Sequence, residues 1–85
     1  MHENHRRPLL KARNDFRKAR KAVNELIVLG QQYRESYHHA RWQGLTGYRS
    51  LQAVKLTNEL LLEAIEEYQA SAEVLEIVEY ALRRA

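Results

Sequence analysis

Between Leu9 and Ala40, apolar side chains return in alternating steps of three and four: Leu9, Ala12, Phe16, Ala19, Val23, Leu26, Gly30, Tyr33, Tyr37 and Ala40, with Gly30 the one member that is neither apolar nor aromatic. Steps averaging 3.5 residues keep one narrow stripe of an α-helix turned toward a partner helix, the pattern of a coiled-coil seam. A second run, Leu51, Val54, Asn58, Leu61, Ile65, Tyr68, Ala72, Leu75, Glu79 and Leu82, repeats the spacing with two polar exceptions. Asn58 is either a buried polar residue that fixes register or a polar residue tolerated near a mobile end, and Val78 takes over the contact that Glu79 does not make. The two runs are separated by ARWQGLTGY, in which Gly44 and Gly47 free the backbone to turn and Thr46 caps the second helix. Pro8 suits a first helical turn. The pattern therefore predicts a flexible polar tail over residues 1–8 and a helical hairpin over 9–85, made of a helix at 9–41, a turn at 42–47 and a helix at 47–84. Rods of roughly 50 to 57 Å joined by so short a link fold back on each other, so the expected class is all-α, an antiparallel two-helix hairpin. Trp42, at the end of the first rod, is expected to lie across the mouth of the hairpin and cover its last layer.

At 85 residues with no Cys, the chain has neither the length to bury a large core nor disulfides or thiolate metal sites to replace one. More surface has to be covered somewhere. Leu56, Leu60, Val74, Ile77 and Ala81 recur at helical spacing off the second seam, and Ile27, Val28 and Leu29 surround Gly30 in the first helix. These nine residues are the predicted partner interface, most simply with a second copy in a four-helix bundle, a homo- or hetero-oligomer. In the competing monomer, long side chains such as Lys55 cover this surface.

Charge changes the picture in one half of the chain. Residues 1–41 hold ten Lys or Arg against Glu3, Asp15, Glu25 and Glu35, while residues 42–85 hold four against seven Glu, so a net +3 divides into +6 and −3. Arg6, Arg7, Lys11, Arg13, Arg17, Lys18, Arg20 and Lys21 fall on roughly the half of helix one opposite its seam. Like charges at i, i+4, such as Arg13 with Arg17, repel by a few tenths of a kcal/mol, and something acidic would relieve them. The candidates are the Glu63, Glu66, Glu67, Glu73, Glu76 and Glu79 cluster of the same or a neighbouring chain, nucleic-acid phosphate, and an anionic membrane surface. No apolar run approaches a membrane span, and the N-terminus MHENHRRPLL lacks the apolar core of a secretory signal, so a soluble cytoplasmic protein is expected.

Candidate chemistry is sparse. Glu35 and His38 have the Glu-x-x-His spacing that di-iron helical bundles use, but with Tyr33 and Tyr37 in the seam both fall on the outer face. His38 and His39 are adjacent and diverge by about 100° on a helix, too far to chelate one ion. His2 and His5 lie in the tail. No Ser-His-Asp grouping and no Gly-rich phosphate loop is present, so no catalytic residue, metal ligand set or cofactor is assigned.

Trp42-Gln43-Gly44 between two long helices resembles the W-x-G (ESAT-like) family of small helical hairpins. The resemblance implies dimerisation as a four-helix bundle and signal-less export, with Trp42 and Gly44 as turn residues. The family's C-terminal Tyr-x-x-x-Asp/Glu signal has no counterpart, since Tyr68 is followed four on by Ala72 and Tyr80 by Arg84. The expected function is a non-enzymatic protein–protein interaction or adaptor module that self-associates or pairs with another helical protein. The alternatives are a nucleic-acid-binding regulator using the basic face and, third, a di-iron carboxylate protein.

Overall fold

The computed structural model describes the backbone of residues 2–84 and the side chains of residues 6–84. These residues form two helices and no strand, α1 (His2–Trp42) and α2 (Tyr48–Arg84), folded back on each other as an antiparallel hairpin. The all-helical fold is thus the expected one, but the first boundary differs. α1 continues through Pro8 to His2, where a polar tail was expected; the side chains of residues 2–5 lie outside the described residues. Pro8 has no N–H to give to the carbonyl four residues back, so the helix forgoes one bond there, while its fixed φ is a helical one that lets the chain continue.

Every member of the α1 seam is buried or half-buried, and Ala22 is the only other residue of 6–42 that is not exposed. The α2 seam lies partly elsewhere than expected. Val54, Leu61, Tyr68, Leu75 and Leu82 face α1 as the pattern predicts, but the alternate positions are Ser50, Thr57, Ala64, Ser71 and Val78, each one residue ahead of the residue first assigned. Leu51, Ile65, Ala72 and Glu79 flank this seam, half-buried. Asn58 is exposed and accepts a hydrogen bond from Arg34 Nη2 at 3.3 Å, so it is not a buried register residue. Its neighbour Thr57, 3% exposed, takes the inner place.

The most deeply buried side chains are small, namely Ala12, Ala19, Thr57 and Ala64, and they let the two backbones approach closely. At Gly30 a Cβ would sit 3.4 Å from Thr57 Cγ2 of the other helix. Hydroxyls are tolerated in the seam because they bond within their own helix: Thr57 Oγ1 donates to the Ala53 carbonyl at 2.6 Å, and Ser71 Oγ to the Tyr68 carbonyl at 2.9 Å. Larger residues then pack beside the small ones, as where the Phe16 and Tyr68 rings lie 5.2 Å apart.

The turn is closed by backbone chemistry. Leu45 N–H donates to the Ala40 carbonyl at 2.9 Å and Gly44 N–H to the Arg41 carbonyl at 3.0 Å, the paired bonds of a Schellman motif, with Gly44 at the left-handed position (φ 79°). Gly47 is left-handed too (φ 63°), and its carbonyl accepts the first bond of α2, from Leu51 N–H at 2.9 Å. Thr46 therefore stands one residue before the cap position and bonds Tyr48 N–H through Oγ1 at 3.4 Å. The Tyr37 ring lies where a side chain on Gly47 would be, with Cδ2 2.8 Å from that Cβ position.

The product is a rod of 65 × 16 × 13 Å with a radius of gyration of 19.0 Å. A compact chain of this length would have a radius near 12 Å. Two helices side by side have only one face each to hide.

Candidate interaction surfaces

Two long sides of the hairpin are distinguishable. A shallow groove lined by Asp15, Lys18, Ala22, Glu67 and Ala70 marks one; a groove lined by Leu9, Arg13, Glu79, Leu82 and Arg83, together with the Arg34–Asn58 hydrogen bond, marks the other. Residues seven apart return to nearly the same side of a helix, which assigns the rest of each flank.

On the first side, Leu29 follows Ala22, while Leu60 and Val74 bracket Glu67 and Ile77 follows Ala70. With Leu56 and Ala81 this is the Leu60 flank. Its large apolar members stand open, Leu56 at 57% and Ile77 at 66%. On α2 they form a second row in steps of three and four: Ala53, Leu56, Leu60, Glu63, Glu67, Ala70, Val74, Ile77 and Ala81. Val28 adjoins this side and lines a shallow apolar depression with Leu29. Two of the nine expected interface residues are elsewhere. Gly30 is buried against Thr57 inside the hairpin, and Ile27 belongs to the opposite side, seven residues on from Arg20.

That opposite side, the Arg13 flank, carries Arg6, Arg13, Arg20, Ile27, Arg34 and Arg41 at seven-residue intervals. The eight cations of the expected basic face are all exposed, but they do not share one direction: Lys11 and Lys18 turn toward the Leu60 flank, and Arg7 and Lys21 point straight outward. Arg34 and Arg41, which lie outside the stripe read from residues 6–21, extend the row; the repeat of seven was the signal that could have found them. Among the described residues the ion pairs are Lys11 Nζ–Asp15 at 3.1 Å, Lys21 Nζ–Glu25 at 3.9 Å and Arg83 Nη2–Glu79 at 3.9 Å, each within one helix. No ion pair among the described residues joins the stripe to the glutamates of α2. Glu63 and Glu67 lie on the Leu60 flank, Glu66 and Glu73 point outward, and only Glu76 and Glu79 share a side with Arg13.

Trp42 does not cover the mouth of the hairpin; it is 90% exposed. Its place, fourteen residues on from Val28, is on the outer face, and the seam ends instead at Tyr37 and Ala40. Tyr37, against Gly47, closes the mouth. Leu45 and Tyr48 are exposed as well, so the tip presents three large apolar side chains. Trp42→Ser is accordingly expected to change the unfolding free energy by less than about 0.5 kcal/mol, which a thermal melt at fixed protein concentration measures.

Glu35 and His38 are exposed on the outer face, and no group of three or more potential metal-ligating side chains comes together among the described residues. No helix among them is long and apolar enough to cross a membrane. Comparison with known proteins gives no match to a family model, a curated protein or a solved structure.

Proposed function

We propose that the chain is a non-enzymatic helical-hairpin interaction module whose Leu60 flank receives another helical polypeptide, and that the occupant is a second copy, giving a four-helix bundle. The observation that carries this reading is the second row on α2. A helix with two 3-4 rows is built to touch two helices, and the hairpin supplies one.

Area supports it. The accessible surface is 7239 Å², whereas a globular protein of 10.1 kDa exposes about 5,300 Å². The excess of about 1,900 Å² leaves ample area for two copies to bury the 2,000 Å² or more in total that obligate homodimers reach.

Charge favours a second copy over an arbitrary partner. Within the hairpin, Lys11 and Lys18 stand at the level of the acidic part of α2, as the groove shared by Lys18 and Glu67 indicates. A two-fold rotation about the long axis preserves levels. It brings the lysine-bearing half of α1 in each copy beside the glutamates of α2 in the other, whereas a two-fold across the rod would set that half against the turn end. The W-x-G resemblance, read as a proposal, leads to the same bundle.

Sedimentation equilibrium from about 5 to 200 µM tests it, since mass action would reveal a weak dimer. The expected mass is twice 10.1 kDa. Leu60→Glu/Ile77→Glu, both exposed in the single hairpin, is expected to halve it. A wild-type monomer with full helicity throughout that range, or a double variant that remains dimeric, would overturn the reading.

A further inference from the structure

We infer that the Arg13 flank is a binding surface for the phosphate backbone of duplex nucleic acid, read without regard to sequence. The inference does not rest on self-association, because the flank lies on the side of the hairpin away from Leu60 and stays free when that side is covered.

Three features carry it. The first is the row itself: five arginines, at positions 6, 13, 20, 34 and 41, occupy a seven-residue repeat of about 10.5 Å per step along the helix axis, interrupted once by Ile27, over most of the 65 Å rod. The second is segregation. Arg17 and Lys55 join the row on the same side, and its only described carboxylates are Glu76 and Glu79, of which Glu79 is taken up by Arg83. The net positive charge of the chain is thus gathered on one long side, while glutamates populate the others. The third is the residue type. Arginine presents a planar fork that meets phosphate oxygens bidentately and is less strongly hydrated than lysine, so a row of arginines suits phosphates better than it suits solvation alone.

The same side says which polyanion. Its one exposed aromatic ring is Tyr48, at the turn end seven residues before Lys55, so no series of rings accompanies the arginines on which successive unpaired bases could stack, which disfavours single strands. Its exposed apolar residues, Leu10, Ile27 and Leu62, are scattered among the arginines rather than joined in the continuous apolar face that insertion into a lipid surface requires. A rigid rod about two turns of duplex in length, touching phosphates only, remains.

The test is fluorescence anisotropy of the full chain with a labelled 30-base-pair duplex of random sequence, between about 50 and 200 mM salt. Five phosphate contacts give a log–log salt slope near −4.5, or roughly a 500-fold loss of affinity across that range. Arg13→Gln/Arg20→Gln/Arg34→Gln is expected to weaken binding at low salt at least tenfold and to lower the slope by about 3. Arg7→Gln/Lys18→Gln/Lys21→Gln removes the same charge from the other sides and is expected to stay within about threefold of wild type, with helicity of both variants checked by circular dichroism. Equal losses in the two variants would reduce the effect to net charge and overturn the inference. So would absence of duplex binding at 50 mM salt, or a preference for phosphatidylserine vesicles or single strands over duplex.

Discussion

Gly30→Leu is expected to lower the unfolding free energy by about 2 kcal/mol, while Gly30→Ala raises it by up to about 1 kcal/mol. Two terms of opposite sign meet at this residue. Gly30 has ordinary helical geometry, since the positive-φ glycines are Gly44 and Gly47, so any side chain gains the helix propensity that glycine lacks. A methyl group finds room, because its carbon would stand 3.4 Å from Thr57 Cγ2, ordinary contact for two methyls. The remaining atoms of a leucine find none: Thr57 is 3% exposed and tied to its own helix through the Ala53 carbonyl, so it has no free direction in which to yield. Overpacking of this kind costs up to about 3 kcal/mol, against which the propensity gain returns about 1. For a domain of this size the leucine variant should melt about 8 to 16 °C lower and the alanine variant up to about 8 °C higher, at one fixed protein concentration. Two losses would mean that the helices are closer than 3.4 Å implies; two gains would mean that they do not pack at Gly30 at all.

At Gly47 even alanine is expected to be costly, by about 2 to 4 kcal/mol. The left-handed backbone (φ 63°) charges any L side chain about 1 to 2 kcal/mol. The new carbon would also stand 2.8 Å from Tyr37 Cδ2 and 3.2 Å from Cε2, so the ring has to leave the mouth that it closes. Gly44 separates the two causes, because it shares the backbone geometry (φ 79°) and has nothing within 4 Å of its Cβ position. Gly44→Ala should therefore cost only the conformational part. In a double-mutant cycle, Tyr37→Ala should recover about 1 kcal/mol or more of the Gly47→Ala loss and none of the Gly44→Ala loss. Denaturant titrations of the wild type, the three single variants and the two double variants measure this, and equal costs at the two glycines would show that the ring contact contributes nothing.

The helices and their hairpin were legible because a 3-4 repeat of apolar residues is a direct image of helix geometry. Details of the inner seam were less so, since pattern reading weights large apolar side chains. At three of the five alternate steps of α2 the choice lay between a bulky or polar residue and a smaller one just before it: Leu51 or Ser50, Asn58 or Thr57, Ile65 or Ala64. Close approach of two backbones selects the small one, and Thr57 and Ser71 hide their polarity in bonds that only the folded helix supplies. Gly30 was misplaced for the same reason, as its spacing put it in the seam and its neighbours put it on the surface. Trp42 misled by size, because its hydrophobicity argued for cover whereas its angular position pointed it outward. The basic face was visible as composition, but its division into two sides depends on which edge of α1 meets α2, and that is fixed only when the partner helix is in place.

The Schellman corner also orders the formation of the whole rod. Contacts beside it, such as Tyr37 with Gly47, join residues close in sequence, whereas Leu9 and Leu82 meet across nearly the entire chain. Each pairing made near the corner shortens the loop that the next must close, so the entropy lost per step stays small as closure moves outward. The hairpin is therefore expected to zip from its tip, so that substitutions at Gly44 and Gly47 slow folding as well as shift its equilibrium and the arginines at the open end come into line last.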